Sequence, residues 1–238
     1  LNAALKESPG YALARVGLAR MRALNRDVEG ALVDVDGILK ESPKLVEANS
    51  LRGDLLLALN RFDDAMSAYE AVIAEKPTDV SAHQNLVWML LRQNKLEAAQ
   101  AKVAEMRKAL GGHPLAVYLQ AYVNVRNGKT TEAYEGIQQV LRSAPDYVPA
   151  QLLAATLQLQ RQDFVQAQEN LNKIIARQHN LLLARRLLVS TYVGMREPGR
   201  ALEALQPLLK DRSDDVGLLN LAGQVYAMNG DFTRSEED

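Results

Sequence analysis

Apolar residues along this chain fall into paired blocks separated by short polar turns. In the second block of each pair they recur at i, i+4, i+7 and i+8: Ala65, Tyr69, Val72, Ile73; Ala133, Ile137, Val140, Leu141; Ala167, Leu171, Ile174, Ile175; Ala201, Leu205, Leu208, Leu209. That spacing puts four side chains on one face of an α-helix. The pattern predicts a first helix from about Val46 to Leu59 and a second from about Phe62 to Glu75. Asn60, Asn94, Gly128 and Gly230 follow first helices, where a residue tolerant of left-handed backbone angles closes the end. Proline stops second helices at Pro9, Pro43, Pro77 and Pro145.

These features keep one clock. Alanine stands at Ala31, Ala65, Ala99, Ala133, Ala167 and Ala201, each 34 residues after the last, and Ser235 extends the series. Small or β-branched residues repeat in step at Ala19, Gly53, Val87, Ala121, Ala155, Val189 and Gly223. One small residue per helix marks where two helix axes come close. A hairpin of two such helices cannot bury its apolar stripe alone, so hairpins must stack into an array. The predicted architecture is all-α, a solenoid of antiparallel hairpins running through residues 1–238. It comprises a partial repeat over 1–9, six full repeats over about 10–213 and a partial repeat over 214–238. Neither end carries a polar capping element, so the chain reads as a piece of a longer array whose end faces would favour end-to-end packing.

Composition narrows the chemistry. Lys plus Arg number 28 and Asp plus Glu 29, with no basic block, which argues against nucleic acid or an anionic membrane as principal partner. The chain has no cysteine, which removes disulfides, thiol nucleophiles and thiolate metal sites. No apolar run reaches the roughly 18 residues of a membrane span.

The small residue at Gly53, the alanine at Ala65, the aromatic at Tyr69 and the proline at Pro77, with their equivalents one period away, resemble the tetratricopeptide repeat over the whole chain. The resemblance implies a right-handed superhelix used as a binding scaffold, with no enzymatic activity and no cofactor. The family's first-helix tyrosine is matched by Tyr192 and Tyr226 but replaced by Arg22, Asn124 and Gln158, which implies looser packing there. Residues 181–232 and 145–176 are further similar to exported tetratricopeptide lipoproteins of bacterial exosortase/PEP-CTERM systems, which accompany exopolysaccharide loci. That likeness implies a cell-envelope or periplasmic scaffold whose lipid anchor would lie upstream of Leu1.

No glycine-rich phosphate loop, G-x-S-x-G or H-E-x-x-H occurs. His83, His113 and His179 fall in different hairpins without i, i+4 spacing, so exposed or capping histidines are expected and no metal site. Asp34, Asp36 and Gly37 imitate part of a calcium loop but lie on a second helix. The carboxylate pairs Asp63–Asp64 and Asp214–Asp215 sit where they offset a helix dipole.

By the same resemblance, the second, fifth, ninth and twelfth residues of each repeat line the concave face. Gln84 and Trp88, then Tyr118 and Tyr122, occupy fifth and ninth positions of adjacent repeats; Arg20, Asp54 and Arg186 occupy others. The only tryptophan of the chain and two of its eight tyrosines are thereby expected side by side, either as an exposed platform or buried between neighbouring helices. As a platform they offer a protein or peptide ligand large contact area at low entropic cost. A polysaccharide stacking on the same rings is the alternative reading.

Overall fold

The computed structural model describes residues 11–210 and 215–230. Thirteen α-helices occupy them and no strand occurs among the described residues. First helices are α1 (Ala12–Leu24), α3 (Val46–Ala58), α5 (Val80–Arg92), α7 (Pro114–Arg126), α9 (Val148–Gln160), α11 (Leu182–Gly194) and α13 (Val216–Met228). Second helices are α2 (Val28–Glu41), α4 (Phe62–Glu75), α6 (Leu96–Leu110), α8 (Thr130–Ser143), α10 (Phe164–Arg177) and α12 (Pro198–Leu209). The chain divides into two compact units, residues 1–127 and 128–238. Within the first unit α1 packs on α2, α3 on α4 and α5 on α6, and within the second α9 on α10 and α11 on α12; each of α2, α4, α6, α8, α10 and α12 also packs on the first helix that follows it.

The alanine ladder is the floor of this packing: Ala31, Ala65, Ala99, Ala133, Ala167 and Ala201 all have 0% exposure. The apolar stripe follows it inward. Tyr69, Val72, Ile137, Val140, Leu171, Ile174, Leu205 and Leu208 are buried, while the last residue of each stripe is half-buried. At Gly53 the approach is tight, since an added Cβ would stand 2.7 Å from the Tyr69 ring.

Every first helix ends on a residue with positive φ, at Arg26, Asn60, Asn94, Gly128, Gln162, Arg196 and Gly230. Asn and Gly were legible there; Arg26, Gln162 and Arg196 take the same left-handed conformation against their preference because the hairpin geometry demands it. Polar side chains at the tyrosine-position departures take hydrogen bonds. Arg22 bonds Asp27, Asp34 and the Gly30 carbonyl; Gln158 accepts from Asn170 at 3.1 Å; Asn124 accepts from Gln120 at 3.0 Å. Of these, the Gln158–Asn170 bond joins the two helices of its hairpin with Gln158 buried. Leu1 to Ser8, Asp214 and Ser235, which carry the readings of the array ends, lie outside the described residues.

The turns from a second helix to the next first helix share a design. Ser42, Lys76, Ala144 and Gln178 take φ between −139° and −130°, and each N–H donates to the carbonyl four residues back at 2.8 Å. Three residues later a backbone N–H closes the turn: Leu45 to Ser42, Asp79 to Lys76, Tyr147 to Ala144, Leu181 to Gln178. A side chain from the following helix then ties the turn's carbonyl. Asn49 donates to Pro43 at 2.9 Å, Gln151 to Pro145 at 2.7 Å and Arg185 to His179 at 2.7 Å, while His83 Nε2 stands 2.9 Å from the Pro77 oxygen.

Candidate functional site

The aromatic residues meet within the first unit. Trp88 projects from α5, Tyr118 and Tyr122 from α7. The Trp88 and Tyr122 rings stand 4.7 Å apart, edge to face at 75°, and Tyr118 lies 6.4 Å from both. Edge-to-face contact directs the positive rim of one ring at the negative face of the other. The trio is not a uniformly open platform, however. Tyr118 is buried at 7% exposure, whereas Trp88 and Tyr122 are half-buried and present partial ring surface to solvent. Neighbouring first helices approach closely enough to enclose the inner ring.

Sequence and cap together aim α5. Asp79 accepts from the Ala82 N–H at 3.0 Å as N-cap, and Lys76 stands 3.1 Å from its other oxygen. Burial works against the charged form of Asp79, but the Ala82 N–H and Lys76 outweigh it and hold the carboxyl below its ordinary range. His83 is buried at 1% exposure on the inner side of the helix, which corrects the expectation of an exposed or capping histidine. Its Nε2 stands at the Pro77 carbonyl, and its Nδ1 is buried without a hydrogen-bond partner among the described residues. His113 does cap, accepting from the Leu115 N–H at 3.2 Å at the start of α7. His179 is exposed.

The other candidates are distributed unevenly. Gln84 is half-buried on α5, one turn before Trp88. Asp54 is exposed on α3 and accepts a 2.6 Å hydrogen bond from the Tyr69 hydroxyl, so its carboxylate is oriented. Burial raises the Tyr69 phenol pKa, and Asp54 raises it further, so Tyr69 remains a neutral donor. Arg20 is exposed on α1. Arg186 belongs to the second unit and is not an isolated charge: its guanidinium stands 3.0 Å from Asp215, which also caps α13 through the Leu218 N–H. Asp63 and Asp64 lie in the first turn of α4, where Arg61 binds Asp64. Asp34 and Asp36 bind Arg22 and Arg52 from α2.

Two features escaped the sequence reading. Gln100 of α6 and Gln120 of α7 exchange reciprocal amide hydrogen bonds, both 3.0 Å, and Gln120 also donates to Asn124. The Arg92 guanidinium lies 5.2 Å from the Phe62 ring centroid. No local motif marks either, because each joins residues of different helices. Among the described residues no cluster of His, Cys, Asp or Glu could hold a metal ion, and no helix is long and apolar enough to cross a membrane.

Hairpins in one register, a buried alanine ladder and a partly open aromatic face define a helical-repeat binding scaffold. The chain is built of tetratricopeptide repeats: family models described by that name match residues 56–121 and 186–238. A curated relative, the probable UDP-N-acetylglucosamine–peptide N-acetylglucosaminyltransferase SPINDLY of Arabidopsis thaliana, is 28% identical over 116 residues, 48% of this chain. The match spans 13% of that protein's length. A tetratricopeptide repeat protein from Parabacteroides merdae superposes with a TM-score of 0.76 at 13% identity, covering 94% of this chain and 89% of that one. PilW, a type IV pilus biogenesis factor, gives 0.74 at 18% identity over 89% of this chain and 98% of its own. These structural likenesses concern the fold.

Proposed function

We propose that the first unit holds a peptide segment of a partner protein against Trp88 and Tyr122, without catalysis. The observation that carries this reading is the edge-to-face pair of half-buried rings on adjacent first helices. A partly exposed aromatic pair held by packing loses little entropy on binding. Asp54, oriented by Tyr69, and Gln84 supply directional polar groups on the same series of first helices. Arg20 adds an exposed cation on that series; Arg186, already paired with Asp215, is left as a lesser candidate in the second unit.

The test uses the only tryptophan in the chain as reporter. Peptides selected against the protein from a random linear library should shift Trp88 fluorescence on titration. Trp88→Ala should weaken the same peptides at least about tenfold, as loss of a buried aromatic anchor does. Selected peptides that bind wild type and Trp88→Ala equally would remove the groove assignment. A fluorescence shift with exopolysaccharide fragments, and none with peptides, would turn the site over to the glycan alternative.

For cellular context, we propose a bacterial envelope assembly for exopolysaccharide or PEP-CTERM protein export, as the sequence likeness of residues 145–176 and 181–232 implies. Fractionation of cells carrying the tagged full-length protein should find it in the envelope, with a lipoprotein signal upstream. Recovery in the cytosolic fraction would remove this context and leave the groove reading intact.

A further inference from the structure

The turn between the third and fourth hairpins departs from the design of the others. Gly111 closes α6 at φ 60°, ψ −130°, a conformation open to glycine alone, where the tied turns carry Pro43, Pro77, Pro145 and His179. Gly112 follows. Among the described residues, His113, at the place of Leu45, Asp79, Tyr147 and Leu181, does not make the backbone N–H bond that closes those turns. The tie is missing as well. Val117 stands where Asn49, His83, Gln151 and Arg185 reach back, and a valine has nothing to donate. His113 and Pro114 start α7 locally, without reference to α6.

Side chains hold α7 to α5 and α6 across this junction. The aromatic trio joins α5 to α7, the reciprocal Gln100–Gln120 pair joins α6 to α7, and Arg126 donates to Asn94 at 2.9 Å. We infer that the Gly111–Gly112 turn is a hinge within the first unit, and that the Trp88–Tyr118–Tyr122 cluster with the Gln100–Gln120 pair is the clasp that sets its angle. Two glycines in a turn that lacks the closing bond and the side-chain tie leave it free to rotate, and side-chain contacts open at lower free energy than a tied turn. The clasp is also the proposed peptide site. A ligand touching Trp88 and Tyr122 at once fits one hinge angle and therefore closes the junction. This coupling rests on the groove reading; the hinge itself does not.

The hinge is tested without ligand, by amide hydrogen exchange and acrylamide quenching of Trp88. Residues 111–117 should exchange faster than residues 77–83 of the tied α4–α5 turn. Gly112→Ala, whose Cβ meets nothing within 4 Å, removes backbone freedom without a clash. It should slow exchange and reduce quenching about two- to fivefold. Gln120→Ala opens the clasp and should increase both about fivefold, the factor one hydrogen bond supports. Gln151→Ala, which unties a turn of the second unit, should leave Trp88 quenching unchanged. Equal exchange in the two turns, or quenching unmoved by both Gly112→Ala and Gln120→Ala, overturns the hinge. The coupling is then read with the selected peptides: Gly112→Ala should tighten them about two- to fivefold. Unchanged affinity, with hinge exchange slowed and Trp88→Ala still abolishing binding, overturns the coupling while leaving both the hinge and the groove in place.

Discussion

The two units share a backbone plan and differ on the face their first helices leave open. At fifth and ninth repeat positions the first unit carries Gln84 with Trp88 and Tyr118 with Tyr122; the second carries Leu152 with Thr156 and Arg186 with Ser190. Beneath these differences the ladder is identical, with Ala65, Ala99, Ala133 and Ala167 all wholly buried. Positions inside the hairpin are constrained by packing at close-packed density, where one methylene is felt. Groove positions answer only to a ligand. The contrast therefore separates what folds the chain from what the chain can hold.

The strongest way to break the comparison is at Gly53, where the second unit has Ala155. Unit one accommodates the Tyr69 ring over Gly53, and a Cβ there would stand 2.7 Å from it. Gly53→Ala should cost about 1–3 kcal/mol, the range for overpacking a tight core. Hydrogen exchange is the measurement, because a repeat array need not unfold in one step. Protection should fall in α3 and α4 and stay unchanged in α9 and α10. Equal loss in both units would mean that Gly53 is not a local contact.

The second prediction concerns pH at the helix that carries Trp88. Asp79 caps α5, and its carboxyl is held below the ordinary value. A depressed folded-state pKa adds stability above the unfolded pKa, about 4, which is lost as pH falls through the folded pKa. Asp79→Ala should thus cost about 1 kcal/mol at neutral pH and nothing once the wild-type carboxyl is protonated. Denaturant melts followed by Trp88 fluorescence at neutral and strongly acidic pH give both arms. A penalty that persists undiminished in acid would remove the charged cap as its cause.

Periodicity carried most of the fold. Helix α4 spans Phe62–Glu75 as its stripe predicts, and α3 stops one residue short of the expected Leu59. A repeated pattern is legible because each residue is reinforced by its equivalents. The site was half legible: register alone brought Trp88, Tyr118 and Tyr122 together, but whether a ring is open depends on how closely two helices approach. Tyr118 is enclosed and Trp88 is not, although both hold groove positions. Likewise His83 looked like a surface histidine until its equivalence to Asn49 and Gln151 showed a donor place in a recurrent turn. Contacts between side chains at non-equivalent positions of different helices, such as Gln100 with Gln120, leave no periodic trace.

The smallest expected effects sharpen the backbone side of the comparison. Every first helix closes on a left-handed residue, glycine at Gly128 and Gly230, asparagine at Asn60 and Asn94, and Arg26, Gln162 and Arg196 elsewhere. A side chain bearing Cβ is strained there, asparagine less than arginine or glutamine. Gln162→Gly and Arg196→Gly should each stabilise their hairpin by about 1 kcal/mol, and Asn60→Gly by less, since glycine's greater freedom in the unfolded chain offsets part of the gain. Arg196 is exposed and Gln162 is exposed, so little packing is lost in either change. Melting midpoints of the three variants should rise in that order of size. If Arg196→Gly and Gln162→Gly lower the midpoint as an exposed glycine in a helix interior does, the closing geometry is not what fixes these positions.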